Sequence, residues 1–366
     1  MKKKLLVFHP VIAPYRIDLF NHLSAIYDME LFMFHRNLID QKFNYEKLSE
    51  SFLFTPKVLD EFYNIPFLKI RKGIFKALRQ TNPDIVCVSE CGYVSLAVIL
   101  YKKIFKKNFR VISIIDDSYD MLTNNNQFTK RHEWAEKILI PLFDDIITVE
   151  PKVRDFFQRK YNKGIYFPII GDEKRMRESY DKSLYISEKY IEQYNLKNKK
   201  VLLFVGRLVP IKNVELVIKT LNKLKLKNVI FIIVGSGENE KKLKSITADN
   251  TNIIFTGRLE GDPLFAWYNI AECFVLPSVQ EAFGAVTNEA LVGGCLGLIS
   301  KKAGSSSLIE EGINGYTFDP YNPTDFESKL CKCIDRSRPR NSPLILRQNR
   351  MTNNFEYYFN QLIAKL

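Results

Sequence analysis

The fold is indicated most clearly by residues 273–291, whose sequence is CFVLPSVQEAFGAVTNEAL. The apolar run Cys273–Leu276 is followed by a proline and predicts a short buried strand. The glycine-containing loop after it predicts a helix that starts near Val286, with Glu281 in the loop and Glu289 in the first turns. A buried strand that leads through a loop into a helix is the repeating unit of a parallel α/β protein.

The start of that predicted helix suits an anion. Its first backbone N–H groups have no partner within a helix, and the positive end of the helix dipole favours a phosphate. The N–H groups concerned belong to Phe283, Gly284, Ala285 and Val286. Because Glu281 and Glu289 lie beside them, the site suits a ligand with both phosphates and hydroxyls, such as a sugar nucleotide. The alternative is a pair of solvated glutamates near a helix start.

A second strand–loop–helix segment supplies basic side chains. Residues 201–213, VLLFVGRLVPIKN, predict a buried strand that ends at Gly206 and a loop that carries Arg207 and Lys212. Ligands of open α/β sheets bind beyond the carboxyl ends of the strands. An arginine there can hold a diphosphate with two hydrogen bonds and a lysine adds a point charge, so the loop predicts a diphosphate site rather than a solvated surface.

Two more predicted strands end in glycine turns. Residues 230–238, IFIIVGSGE, turn at Gly235, and such a turn lets the backbone approach a ligand closely. Residues 253–259, IIFTGRL, end at Arg258 and Leu259. Because such turns are common in α/β proteins, each segment alone is weak evidence for a ligand site. Only the order of the segments along the chain is informative.

In that order the motifs resemble those of the family-4 glycosyltransferases, which are retaining enzymes of the GT-B fold. The resemblance rests on GRLVPIKN, VGSGE, FTGRL, the Glu-x7-Glu spacing and GINGY at residues 312–316, and it is strong over residues 200–320. It implies an α/β fold with two Rossmann-like domains that face each other across a cleft. It also implies a C-terminal helix that crosses back to the N-terminal domain.

The same resemblance implies roles for residues of the second domain. Arg207 and Lys212 would contact the donor diphosphate, and Glu289 would bind the nucleotide ribose. Glu281 would orient the transferred sugar without forming a covalent intermediate. The implied donor site comprises Gly206, Arg207, Lys212, Gly235, Arg258, Leu259, Glu281, Phe283, Gly284, Ala285, Val286 and Glu289. The co-substrate would be a UDP- or GDP-linked sugar, with no further cofactor and no metal, because basic side chains and amides would stabilise the leaving phosphate.

The N-terminal half carries weaker signals. HPVIAPYR at residues 9–16 resembles the corresponding loop of enzymes of the bacterial surface-polysaccharide type, although it lacks the glycine that relatives often have there. Arg16 contacts a phosphate or acceptor in one interpretation and only opens a helix in the other. Asp116 and Asp117 follow another predicted strand, where many relatives have a histidine. They either contact a hydroxyl or cap the next helix.

These signals complete the set of candidate residues in the two domains. The catalytic candidates are Glu281, Arg207, Lys212 and Asp116. The acceptor-binding candidates are Tyr15, Arg16, Glu90, Tyr93 and Asp117. No histidine is assigned as a general base.

The chain of 366 residues is long enough for two domains. We expect an acceptor-binding domain over residues 1–172, a donor-binding domain over residues 173–335 and a helical tail over residues 336–366 that packs on the first domain. Within that tail, residues 342–366 are predicted as helix.

The cysteines and the net charge indicate where the protein is located and which partners it has. Six cysteines without metal-ligand spacing indicate reduced thiols in a cytoplasmic protein. A net charge of +13 and the basic–aromatic segments at residues 69–76 and 102–110 allow an anionic membrane, a nucleic acid or plain solvent beside the basic face. The resemblance favours the membrane. We therefore expect a peripheral protein at the inner face of the cytoplasmic membrane, with a lipid-linked or glycan acceptor and no nucleic-acid partner.

The predicted function is sugar transfer from a nucleotide sugar in the synthesis of O-antigen, capsule or exopolysaccharide. Two alternatives share the fold, namely a catalytically silent protein that binds nucleotide sugars and a sugar phosphorylase. A dinucleotide-dependent dehydrogenase is disfavoured, because residues 9–16 lack the G-x-G-x-x-G motif.

Overall fold

The structure is a computed structural model in which residues 1–36, 44–63, 71–123, 129–247 and 250–366 are described. The chain divides into two compact units. Unit 1 comprises Met1–Gly171 together with Tyr357–Leu366, and unit 2 comprises Asp172–Glu356. Within the described ranges, none of the helices combines the length and the apolar character needed to span a membrane.

Unit 1 is built on a parallel sheet of seven described strands. They are β1 (Lys4–His9), β2 (Asp28–Met33), β3 (Lys57–Val58), β4 (Ile85–Ser89), β5 (Arg110–Ile115), β6 (Asp145–Thr148) and β7 (Ile165–Tyr166). They lie in the order β3–β2–β1–β4–β5–β6–β7, and each pair of neighbours is parallel. The strand order reverses between β1 and β4, which is where open α/β sheets bind ligands.

Helices connect these strands and cover the sheet. They are α1 (Ile17–Ile26), α2 (Tyr45–Ser49), α3 (Ile74–Thr81), α4 (Tyr93–Ile104), α5 (Tyr119–Thr123), α6 (Lys130–Leu139) and α7 (Pro151–Tyr161). Strands β1 and β5 are buried along nearly their whole length. Such continuous burial is typical of a parallel sheet that is covered on both faces.

Unit 2 repeats this plan with six described strands. They are β8 (Lys200–Val205), β9 (Val229–Val234), β10 (Ile253–Gly257), β11 (Cys273–Leu276), β12 (Leu296–Ser300) and β13 (Gly315–Phe318). Their order is β10–β9–β8–β11–β12–β13, again parallel throughout, and it reverses between β8 and β11. Its helices are α8 (Glu173–Lys182), α9 (Leu184–Gln193), α10 (Val214–Leu224), α11 (Glu240–Thr247), α12 (Asp262–Ile270), α13 (Val286–Val292) and α14 (Pro323–Arg336). The last helix, α15 (Phe355–Ile363), lies mostly in unit 1.

The predicted fold class, two Rossmann-like parallel α/β units, is confirmed by both sheets. The predicted strand Cys273–Leu276 coincides with β11, and the helix expected near Val286 begins there as α13. Strands β3 and β7 could not be predicted from the sequence, because each has two residues and is too short to show a hydrophobic periodicity.

The prediction of a helix over residues 342–366 is wrong for its first part, since α15 begins only at Phe355. The preceding segment forms tertiary hydrogen bonds within unit 2 instead. The guanidinium of Arg347 donates to the carbonyl oxygens of Tyr268 (2.6 Å) and Gly293 (2.7 Å). Bonds of this kind override the weak preference of the local sequence for a helix.

The end of the chain belongs to unit 1. Arg110 donates to the carbonyl oxygen of Lys365 (2.8 Å) and to Leu366 (2.7 Å). The ring of Tyr358 packs edge-on against Tyr166, with 5.5 Å between the ring centroids. Arg110 of β5 and Tyr166 of β7 thus hold the end of the chain on this unit.

Candidate functional site

The loops that follow β8, β9, β10 and β11 meet at one edge of the unit 2 sheet. Gly206 N–H donates to the last carbonyl of β9 (3.0 Å), and Gly235 N–H donates to the last carbonyl of β10 (2.8 Å). The loop after β11 joins the loop after β8, because Val279 N–H donates to the carbonyl of Ile211 (2.9 Å). Since β8 and β11 flank the reversal of strand order, these loops lie where such sheets bind ligands.

Gly235 is required by the close packing of two of these loops. A Cβ atom at Gly235 would lie 1.9 Å from the carbonyl oxygen of Gly206, and the φ of Gly235, +146°, is rare for any other residue. The structure therefore brings the predicted donor residues Gly206 and Gly235 into direct backbone contact. Only glycine permits this approach of the strand ends.

Lys212 and Glu281 form an ion pair across two loops. The Nζ of Lys212 donates to Oε2 of Glu281, and the hydroxyl of Ser278 lies 3.4 Å from the same oxygen. The two charged side chains are 13% and 16% exposed, so the pair is sheltered but open to a small ligand. The second oxygen of Glu281 and two further N–H donors of Lys212 are left for that ligand.

The loop between β11 and α13 is held in place by a glycine and by a neighbouring loop. Gly284 has a φ of +92°, and a Cβ atom there would lie 2.6 Å from Cδ2 of Leu276. Ser305 N–H donates to the carbonyl of Phe283 at 2.8 Å. These contacts fix the conformation of the loop without any ligand.

Consecutive N–H groups of this loop have no acceptor within the described chain. They belong to Phe283, Gly284, Ala285 and Val286. The first bond of the helical turn is made one residue later, where Thr287 N–H donates to the carbonyl of Gly284 (3.0 Å). Unpaired amides on a fixed loop are a ready acceptor site for phosphate or sugar oxygens.

Glu289 is oriented by two buried tyrosines. The Tyr268 hydroxyl donates to Oε2 of Glu289 (2.8 Å), and the Tyr180 hydroxyl donates to its carbonyl oxygen (2.8 Å). Burial raises the pKa of the Glu289 carboxyl, while the hydrogen bond from Tyr268 and the charge of Arg175 act against that rise. Neither tyrosine was predicted, because a buried aromatic residue on a helix is typical of a core and carries no motif.

The other predicted donor residues differ in their surroundings. Arg207 is exposed directly after Gly206, and no carboxylate of the described residues lies within ion-pair distance of it. Arg258 pairs with Glu260 two residues further on. Leu259 packs against the core of unit 2. Arg207 is therefore the more suitable of the two arginines to meet an anion.

In unit 1, Arg16 and Asp116 form an ion pair between the loop after β1 and the end of β5. The Arg16 side chain is 1% exposed and that of Asp116 is 33% exposed. Arg16 is also the N-cap of α1, as one of its two interpretations predicted. Its Nε and Nη1 atoms have no hydrogen-bond partner in the described residues.

The histidine at the end of β1 is neutral near physiological pH. Burial and the neighbouring charge of Arg16 lower the pKa of His9 to about 4, although the charge of Asp116 opposes this. Its Nδ1–H donates to the carbonyl of Val11 (2.7 Å), because a carbonyl oxygen can only accept. His9 thus adds no charge beside Arg16.

Glu90 holds an unusual backbone conformation at the end of β4. Its φ is +55°, a left-handed value that is uncommon for a residue with a side chain. The Glu90 carbonyl accepts from the hydroxyls of Ser95 (2.5 Å) and Ser113 (3.3 Å). Tyr93 begins α4 and is 58% exposed, while Tyr15 is half-buried in the turn after β1.

The helix-cap interpretation of Asp116 and Asp117 is wrong. The hydroxyl of Ser118 accepts from Met121 N–H (3.4 Å), and the carboxylate of Glu150 accepts the first N–H of α5 (2.7 Å). Both aspartates are left for other partners, and Asp117 is buried.

Comparisons with known proteins agree with this architecture. Residues 186–350 match the family model described as glycosyl transferases group 1. An uncharacterized glycosyltransferase of Methanocaldococcus jannaschii is 34% identical over 130 residues, which are 34% of this chain and 33% of that one. The lipopolysaccharide 1,2-N-acetylglucosaminetransferase of Salmonella typhimurium is 32% identical over 139 residues, 34% of this chain and 36% of that one. Across three M. jannaschii relatives, the matched part spans 33%, 53% and 58% of the relative's length.

The fold extends beyond the matched segment. Anabaena HepE, solved in complex with UDP and glucose, is similar over 99% of this chain and 98% of its own, with a TM-score of 0.73 and 16% identity. Identity at that level shows a shared fold and nothing finer. Residues 186–350 thus match the glycosyl transferases group 1 family model, and the chain as a whole shares the fold of its GT-B structural neighbours.

Proposed function

We propose that this chain is a retaining glycosyltransferase that moves a sugar from a UDP- or GDP-linked donor to a glycan or lipid-linked acceptor in cell-surface polysaccharide synthesis. One observation carries the proposal. The Lys212–Glu281 ion pair stands next to a loop of unpaired N–H groups at the strand-order reversal of unit 2, inside the segment that matches the glycosyl transferases group 1 family.

In the proposed reaction, the bond between the sugar and the diphosphate breaks, and the leaving phosphate gains negative charge. Arg207, Lys212 and the loop amides stabilise that charge as it develops, so the donor site needs no metal ion. The acceptor hydroxyl attacks from the face of the leaving group and passes its proton to the departing phosphate. This course retains the anomeric configuration.

The two glutamates would divide the remaining contacts. Glu281 keeps one carboxylate oxygen for the hydroxyls of the transferred sugar. Glu289, fixed by Tyr268, would accept hydrogen bonds from the ribose. A carboxylate that is held in one orientation loses little entropy when it binds, which favours a defined donor pose.

We assign the acceptor to unit 1. Its support is the backbone of Glu90, since residues held in left-handed conformations are concentrated at ligand sites. Tyr93 and Tyr15 present aromatic surface near the same sheet edge, and Asp116 is fixed there by its ion pair with Arg16. The names of two similar proteins are consistent with a UDP donor and a surface glycan, since one is bound to UDP and glucose and the other acts on lipopolysaccharide.

A surface of unit 1 fits a lipid-linked acceptor. On α4, exposed apolar side chains recur at helical spacing, namely Tyr93, Leu96, Leu100 and Ile104. Lysines follow at the carboxyl end of the helix, namely Lys102, Lys103, Lys106 and Lys107. We call this set the α4 surface. An apolar stripe beside lysines suits the headgroup region of an anionic membrane. Of the other basic segment, residues 69–76, the first two lie outside the described residues.

Product analysis tests the proposed function directly. The full chain is incubated with UDP- and GDP-linked sugars and a lipid-linked acceptor, and the anomer of the product is determined by NMR. We expect transfer with retained configuration, without added Mg²⁺ and without dependence on inorganic phosphate. An inverted product contradicts the mechanism. Phosphate-dependent release of a sugar 1-phosphate would show a phosphorylase, and tight donor binding without turnover would show a silent binding protein.

A further inference from the structure

A second group of polar side chains converges in unit 1. Asp117 follows β5, and His132 and Glu136 lie four residues apart on one face of α6. One ligand atom from each residue lies within 4.8 Å of the other two, and Nε2 of His132 is 3.4 Å from Oε1 of Glu136. Two ligands of one ion lie up to about 4 Å apart, so small side-chain rotations would bring all three to it.

The Asp117 carboxylate lacks the partners that a buried charge needs. Asp117 is 8% exposed, and no N–H, hydroxyl or basic group of the described residues donates to its carboxylate. A buried carboxylate is costly unless it is paired or coordinates a metal. This side chain is therefore a second, independent indication that the cluster holds a cation.

The basic side chains nearby do not supply that cation. Arg16 is engaged by Asp116. Lys160 influences Glu136 only from a distance, and its Nζ lies over two aromatic rings at 5.5 Å and 5.2 Å. Within the described residues, no lysine or arginine forms an ion pair with Asp117 or Glu136. No lysine or arginine whose side chain the structure describes therefore supplies a partner charge to Asp117.

We propose that Asp117, His132 and Glu136 form a binding site for one divalent transition-metal ion of the Zn²⁺ class. An imidazole ligand favours such ions over Mg²⁺ or Ca²⁺, which prefer oxygen atoms alone. Three protein ligands leave a coordination position for water or a hydroxyl.

This site departs from the expectation of a chain without metal, and it does not rest on the donor chemistry of unit 2. The sequence signal is the His-x3-Glu spacing of residues 132–136. That spacing is common on solvated helix faces, so it gains meaning only when the fold brings Asp117 to the same point.

Metal titration of the full chain tests the site. The protein is stripped with a chelator and titrated with Zn²⁺ by calorimetry, and Co²⁺ is used as a spectroscopic probe for thiolate ligands. The variants are His132→Ala and Asp117→Asn. The control is Glu133→Gln, an exposed glutamate on the same helix. Melting temperatures are recorded for each protein with and without Zn²⁺.

We expect one Zn²⁺ per chain in the parent and in the control, with no thiolate band for Co²⁺. Both ligand variants should lose at least about 10–100-fold in affinity, the range seen when even outer partners of a metal are removed. Asp117→Asn should melt above the metal-free parent, because it removes a buried carboxylate that has no hydrogen-bond donor within the described residues, and it should not respond to Zn²⁺. Unchanged Zn²⁺ affinity in both variants, or no saturable binding by the parent, overturns the site. If His132→Ala fails to fold, Asp117→Asn alone decides the question.

Discussion

The two units share one strand order but treat charge at the carboxyl edge of the sheet in opposite ways. In unit 2, Lys212 and Glu281 neutralise each other beside unpaired amides and glycine turns. In unit 1, the loop after β1 has no glycine, Arg16 is buried against Asp116, and the Asp117 carboxylate is buried without a donor. The same scaffold thus offers an anion-binding edge in one unit and a carboxylate-rich edge in the other.

Because of this difference, the carboxyl edges of the two sheets suit different ligands. Free amides and an exposed arginine attract phosphate, so unit 2 suits the proposed donor. Carboxylates repel phosphate but bind hydroxyls and cations, so unit 1 suits an acceptor or a metal ion. The fold alone does not determine which ligand binds, because both units have the same fold.

The largest expected effect concerns the ion pair of unit 2. Glu281→Ala removes the carboxylate proposed to hold the sugar and leaves Lys212 without its partner. Transfer should fall at least about 100-fold, as misplacing a reacting group commonly does. Initial rates at saturating donor measure the loss. Glu310→Ala, an exposed glutamate of the same unit, should keep the parental rate. Full activity of Glu281→Ala would show that this carboxylate has no role in sugar transfer.

The next effect contrasts glycines of the two units. Gly235→Ala forces a Cβ atom to 1.9 Å from the Gly206 carbonyl oxygen, so it should lower the free energy of unfolding by about 2–4 kcal/mol and weaken nucleotide binding. Gly92→Ala in unit 1 meets nothing within 4 Å and has a φ of −107°, so its effect should stay within about 0.5 kcal/mol. Urea unfolding compares the two. Equal stability of both variants would contradict the close approach at Gly235.

A third effect belongs to unit 1 and depends on pH. Because the pKa of His9 is about 4 in the folded chain and 6.5 for an unperturbed histidine, its stabilisation is present above pH 6.5 and is lost as the pH falls toward 4. The parent should lose about 2 kcal/mol of stability between pH 7 and pH 5 from this residue. His9→Gln should show a correspondingly flatter profile in urea unfolding at each pH. Parallel profiles would mean that His9 is not buried as a neutral ring.

The smallest effect concerns the α4 surface. Lys107→Gln should weaken binding to vesicles that contain phosphatidylglycerol by about fivefold, since one lysine near an anionic surface contributes about 1 kcal/mol. Vesicle co-sedimentation measures it. Lys227→Gln, an exposed lysine of unit 2, serves as control and should bind like the parent. Equal binding of the parent to neutral and anionic vesicles would show that this surface does not recognise lipid charge.

The donor loops of unit 2 could be predicted because their information is local. A buried apolar run, a glycine and a basic or acidic residue lie within a dozen positions, as in residues 201–213 and 273–291. Because parallel strands have their carboxyl ends at one edge of the sheet, the loops that follow them lie close together.

The supporting residues could not be predicted in the same way. The hydroxyl of Tyr268 on α12 reaches Glu289 on α13, and Asp117 after β5 lies near His132 on α6, only because the fold brings these residues together. Such contacts depend on tertiary packing, which a single sequence does not display. The helix prediction for residues 342–366 was wrong for the same reason. Arg347 donates to carbonyl groups that are distant in the sequence, and its segment does not continue a helix.

Nucleotide-dependent thermal stabilisation tests the central claim, that unit 2 holds a nucleoside diphosphate through Arg207. Melting temperatures of the parent, Arg207→Ala and the exposed control Arg338→Ala are measured with UDP, GDP, ADP and TDP. We predict that UDP or GDP stabilises the parent and the control, by about 2.7 kcal/mol at a hundredfold excess over Kd, and does not stabilise Arg207→Ala. Absence of a shift with every nucleotide, or an equal shift in Arg207→Ala, would contradict the account.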